Sequence, residues 1–143
     1  MHPIIHQLAT TRQIADIRHK IDPARVLDDA IAVQQIPSPT FDESACANYV
    51  QSRFENWPLQ DVMQDNLYNV YGRWPGKYSN RPALLVSAHT DTVFPAETSL
   101  DIQRKGSRVW GPGLGDNSLG VAGLMALLDL LHTHNLTPDV DIW

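Results

Sequence analysis

The sequence predicts an α/β fold, with a mostly parallel central sheet and helices on both faces. Three observations carry that expectation. Helical patterns alternate with apolar strand patterns along the chain. Ala83-Leu84-Leu85-Val86-Ser87 is a continuous apolar run bounded by Pro82 and His89, as suits a strand covered on both sides. Ser118 to about His134 is apolar nearly all round, as suits a helix buried against a sheet.

In chain order, residues 1–21 form an N-terminal extension with weak helical spacing (Ile5, Leu8, Ile14, Ile17). A firmer helix follows: Asp22 can cap it, Pro23 suits its first turn, and Val26, Leu27, Ala30, Ile31 and Val33 give an apolar face. It should stop at Ile36, because Pro37 disfavours a helical residue before it. Pro37-Ser38-Pro39-Thr40 reads as a loop, and a second helix is expected from about Asp42 to Trp57. Strand signals then take over, at Leu59 to Met63 and at Leu67 to Trp74, ended by Pro75-Gly76-Lys77. A hairpin is expected from Leu100–Arg104 and Arg108–Trp110 around Lys105-Gly106, and a further strand from Asp139 to Trp143.

Composition narrows the function classes. With 143 residues, 43% of them hydrophobic, the chain can build one domain with a core. A net charge of −5 without a basic stripe argues against nucleic acid as a partner. The run Leu124 to Leu131, broken by Asp129, is short for a membrane span, so no membrane partner is expected. The N-terminus lacks the unbroken apolar segment of a signal peptide, and the single Cys46 excludes an internal disulfide framework. A cytoplasmic location is the expectation.

Two clusters carry chemistry. His89 and Asp91 follow directly after the apolar run, where ligands collect in open α/β sheets. Residues two apart on an extended segment face one space, so Asp91 can hold one ring nitrogen of His89 while the other binds a metal. The competing reading is a structural histidine at a strand end. A Ser87-His89-Asp91 triad is disfavoured, because neighbours on one strand face lie about 6–7 Å apart along the backbone.

The second cluster is Gly111-Pro112-Gly113-Leu114-Gly115-Asp116-Asn117. A nucleotide-binding loop would place Asp116 beside the phosphates, where its charge repels them. The same features suit a cation, because glycines let the backbone fold closely around a site. Asp116 can also be read as a plain helix N-cap.

Together, Ser87-Ala88-His89-Thr90-Asp91-Thr92-Val93-Phe94-Pro95 and Gly111 through Gly123 resemble the two signatures of the M20 zinc peptidases. That family includes peptidase T-like aminopeptidases, glutamate carboxypeptidase and deacylases such as acetylornithine deacetylase. Gln35 to Thr40 and Asp65 to Val70 are similar to its weaker landmarks. The resemblance implies a hydrolase with two zinc ions, Co²⁺ or Mn²⁺ being alternatives. His89 would bind one ion, Asp116 would bridge both, and Asp91 would orient His89 as the catalytic aspartate. A water between the metals would attack the amide, and the Asp116-Asn117 peptide would be cis. A peptidase acting on small peptides is the leading expectation. The alternatives are an N-acyl-amino-acid deacylase and a non-catalytic binding module that retains the fold.

The family's Glu-Glu pair, one member a general base and the other a ligand, has no match here, nor do its later ligands. Residues 22–143 are therefore expected to be the N-terminal part of a catalytic domain, inactive alone. The dimerisation domain is absent, so homodimers concern the full-length protein.

Overall fold

The computed structural model describes Ile17 and residues 19–143. The extension expected over 1–21 lies outside the described residues save for Ile17 and 19–21. Helix α1 spans Pro23–Gln34; Asp22 caps it by accepting from the amide of Ala24 at 2.9 Å, and Pro23 opens it. Helix α2 spans Ser44–Phe54, shorter at both ends than the periodicity predicts. At its start, Glu43 accepts from the amide of Phe41 at 2.7 Å, an arrangement that closes the preceding loop.

Strands β1 (Gln60–Gln64) and β2 (Val70–Arg73) form an antiparallel hairpin, with an irregularity between Gln60 and Met63 where Asp61 has φ +55°. Asp65 organises the connection. Its carboxylate accepts from the amides of Leu67 and Asn69, each at 2.9 Å, from the Asn69 side chain at 2.9 Å, and from the Tyr71 hydroxyl at 3.1 Å. Its pKa lies below the ordinary carboxylate value, the Asn69 side chain being the largest cause.

The ladder continues past β2. Trp74 exchanges both backbone hydrogen bonds with Ile142, at 2.8 and 3.0 Å, in an antiparallel bridge. On its other side the 141–143 segment pairs in parallel with 84–86: Leu84 donates to Asp141 at 2.8 Å, Trp143 to Leu84 at 2.8 Å and Val86 to Trp143 at 2.7 Å. The order is thus β1, β2, 141–143, 84–86. The α/β class stands, but the pairing is mixed rather than mostly parallel. A short hairpin connection can join β1 and β2 only antiparallel, whereas 84–86 and 141–143 are separated by a long helix, Leu119–Thr133, and can run side by side.

Strands β3 (Gln103–Lys105) and β4 (Arg108–Trp110) form the expected hairpin, turning at Gly106 with φ +60°. It starts three residues later than predicted. The Leu100 carbonyl is occupied by the side-chain amides of Gln34 and Gln35, at 3.1 and 2.7 Å, so the chain before Gln103 is tied to α1 rather than to β4.

Helix α3 spans Leu119–Thr133. With the turn before it, the run Leu114–Thr133 is long and apolar enough to cross a membrane by length and composition, further than the sequence reading allowed. Its buried side, Val121, Ala122, Met125, Leu128 and Leu131, instead makes the core. Helices α1, α2 and α3 each contribute to that core, through Val33, Cys46, Val50 and Met125, with Trp57 and Trp74 closing it. Burying Met125 alone stabilises by about 1.5–3 kcal/mol. Asp129, the charge that interrupts the apolar run, accepts from the indole of Trp57 at 3.0 Å and pairs with Arg25 at 2.8 Å.

Candidate metal and catalytic site

The site lies where the 84–86 segment ends. There the chain leaves the sheet, and Thr92 fixes its path: it donates its amide to Ser38 at 2.7 Å and accepts from the amide of Thr40 at 3.2 Å. The 38–40 loop is thereby laid alongside 90–92. Gly113, with φ +72°, approaches from the other side, and a Cβ there would come within 2.9 Å of the Thr92 methyl. Only glycine allows both that conformation and that approach. Gln34, 3% exposed, donates to the Pro112 carbonyl at 3.0 Å and so ties the glycine-rich loop to α1.

These supports bring the two clusters together. His89 Nε2 lies 2.9 Å from Asp116 Oδ1. His89 Nδ1 lies 3.1 Å from both the carboxylate and the backbone carbonyl of Asp91. Thr40 Oγ1 donates to the other Asp91 oxygen at 2.8 Å. Asn117 donates to the His89 carbonyl at 3.2 Å, and the Asp116–Asn117 peptide is cis. Gly120 leaves the room for Asn117 to do so, since a Cβ there would overlap its side chain.

Asp116 does not cap α3; no side chain caps that helix, and Asp116 has an extended backbone with its carboxylate largely exposed toward His89. Both nitrogens of His89 face carboxylates, which leaves none for Ser87 and removes the triad reading.

Partial burial pushes the His89 imidazole down, but its bonds to Asp116 and Asp91 outweigh that and hold its pKa above the usual histidine value. Asp91 is held below the usual carboxylate range, first by the Thr40 hydrogen bond and then by His89. The donor types at the centre, an imidazole nitrogen and a carboxylate oxygen, fit zinc or a similar divalent cation, and an imidazole backed by a carboxylate is the usual form of such a ligand. Among the described residues, no three His, Cys, Asp or Glu side chains converge to hold an ion. Within them, His89 and Asp116 bring one imidazole nitrogen and one carboxylate oxygen to the same point.

Thr40 and Asn117 lie within segments that carry the resemblance, but the sequence does not reveal their partners, and Gln34 carries no functional signal at all. A threonine in a Pro-Ser-Pro-Thr loop does not announce a partner that lies 51 positions away.

The profile of Peptidase family M28 matches residues 69–143, more than half of the chain and both clusters. The chain belongs to peptidase family M28. No curated protein matches it. Solved structures match its fold. A tripeptidase from Staphylococcus aureus subsp. aureus Mu50 aligns at 24% identity and TM-score 0.71, covering 85% of this chain and 35% of that one. Aminopeptidase PepT from Bacillus cereus ATCC 10987 aligns at 20% identity and TM-score 0.72, with the same coverage. Aminoacylhistidine dipeptidase from Vibrio alginolyticus aligns at 21% identity and TM-score 0.60, over 85% of this chain and 27% of that one. This M28 chain thus spans about a third of the length of the structures it matches. Its peptidase fold is common ground with the resemblance stated above, although the profile carries a different family label.

Proposed function

We propose that the chain carries the first half of the metal centre of a zinc-dependent peptidase of the M20 type, acting on small peptides. The observation that carries this reading is the 2.9 Å approach of His89 Nε2 to Asp116 Oδ1, with Asp91 behind the ring. Two segments far apart in sequence deliver complementary metal donors to one point, and three separate supports hold them there. Within the peptidase fold shared with the M28 profile, the M20-like reading of the site is supported by the resemblance, since that family includes peptidase T-like aminopeptidases and one matched structure is an aminopeptidase PepT.

In this reading His89 binds through Nε2 and Asp116 through its carboxylate. Asp91 keeps a proton on Nδ1, so that Nε2 presents its lone pair. Zinc, when bound, polarises an amide carbonyl and lowers the pKa of water. Cytoplasmic location and assembly of the full-length protein as a homodimer belong to the same proposal.

Calorimetric titration with Zn²⁺ tests it. Structural zinc takes four ligands and catalytic zinc three plus water, so a pair should bind weakly. The expected result is a weak isotherm, lost in both His89→Ala and Asp116→Ala. Binding that survives both changes overturns the assignment. So does binding lost on replacing His134, which lies at the far end of α3 in a cleft beside Asp129.

A further inference from the structure

We propose that Thr40 is a positioning residue for the candidate site, its hydroxyl fixing the Asp91 carboxylate in the orientation that serves His89. This rests on the reading of Asp91 as the partner of His89. A carboxylate bonded at one oxygen only can rotate about its Cβ–Cγ bond, which is broad and lacks deep staggered wells. Here both oxygens are committed. Oδ1 faces His89 Nδ1 at 3.1 Å, and Oδ2 accepts from Thr40 at 2.8 Å. Rotation would break both bonds together, so the hydroxyl turns a hinged acceptor into a fixed one.

The loop is built to hold Thr40 in place. Its amide donates to the Thr92 carbonyl at 3.2 Å, on the same strand extension that carries Asp91. On its other side Phe41 adopts φ +75°, an uncommon conformation for a bulky residue, and its amide is held by Glu43. Phe41 is 93% exposed, so packing of its ring does not account for that conformation. The backbone on both sides of Thr40 is pinned, and its hydroxyl donates to Asp91 Oδ2 at 2.8 Å, the Thr92 carbonyl being a longer second acceptor at 3.4 Å. A chain Thr40–Asp91–His89–Asp116 results, in which the first member touches neither His89 nor Asp116.

The test uses the ring nitrogen resonances of His89 in the ¹⁵N-labelled chain at mildly alkaline pH, assigned by their loss in His89→Gln. Thr40→Ser keeps the hydroxyl; Thr40→Val keeps the shape without it; Thr40→Ala removes both. Wild type and Thr40→Ser should show Nδ1 protonated and bonded to a carboxylate, whereas Val and Ala variants should move toward the averaged pattern of a free imidazole. A role confined to loop stability would lower the melting temperature and leave the ring signals alone, and that outcome overturns the proposal. If the Val and Ala variants fail to fold, Thr40→Ser decides, because loss of the wild-type pattern there overturns it equally. Zn²⁺ alone, followed by the same signals, should bind Thr40→Val about 10-fold more weakly than wild type, the lower end for a residue that orients a ligand. Absence of any zinc response in wild type sinks the zinc reading, whereas the ring signals still decide the role of Thr40.

Discussion

Single side chains in this molecule act mostly by fixing other groups. Asp65 shows it away from the site: four donors converge on one exposed carboxylate and hold the β1–β2 connection. Since its pKa is lowered on folding, the stabilisation it gives is fully present above the unfolded carboxylate value, about 4. It is lost as pH falls below that, through the folded value. Asp65→Asn should therefore melt lower than wild type at neutral pH, and the two melting curves should converge in acid. Thermal unfolding by circular dichroism across that range checks this; a gap that persists unchanged at low pH contradicts it. At this scale the sequence is most legible where chemistry is local. His89 and Asp91 sit two apart after an apolar run, and Asp116 ends a glycine-rich loop. It does not reveal partners that are distant and ordinary in type, such as Asp91 for Thr40, the His89 carbonyl for Asn117 and the Pro112 carbonyl for Gln34.

An element follows the sequence at the end that carries its own local signal; α1 starts where expected but stops at Gln34 rather than at Ile36. Asp22 and Pro23 set the start of α1 to the residue. The β3 strand departs from expectation because the residues before it have strand-like composition, while the Leu100 carbonyl is claimed by two glutamine side chains that periodicity does not register. Outside the hairpins, which their short turns make antiparallel, the pairing of distant segments is likewise illegible, since it depends on which segments meet and not on their composition. In the sequence Asp129 is an interruption of the apolar α3, yet that residue joins the helix to α1 and to the end of α2. Asp129→Leu would leave the nearly buried Trp57 indole without an acceptor, at a cost of about 1–3 kcal/mol. Asp129→Asn retains an acceptor and should lose less than about 1 kcal/mol. Urea unfolding of the two variants distinguishes them; equal losses would assign the effect to the Arg25 ion pair instead.

Across the whole molecule, the 141–143 segment is the member on which the sheet depends, because it pairs with both the end of β2 and 84–86. Gly76 sits against it. Its amide donates to Asp141 at 2.8 Å, and a Cβ there would overlap the Val140 carbonyl carbon and lie 2.7 Å from the Asp141 nitrogen. Backbone cannot yield there as a side chain could, so Gly76→Ala should destabilise by about 1–3 kcal/mol. Amide hydrogen exchange should quicken at Leu84 and Val86 as well as at Ile142, since all three amides are held through this one segment. Acceleration limited to Ile142 would mean that the two halves of the ladder open independently. The same arrangement bears on birth of the protein. A ribosome delivers the residues of the His89 strand well before the segment that clamps them, so during synthesis the apolar Leu84–Val86 run waits unpaired. The strand that leads into His89 therefore gains its parallel partner only once the far side of α3 has emerged.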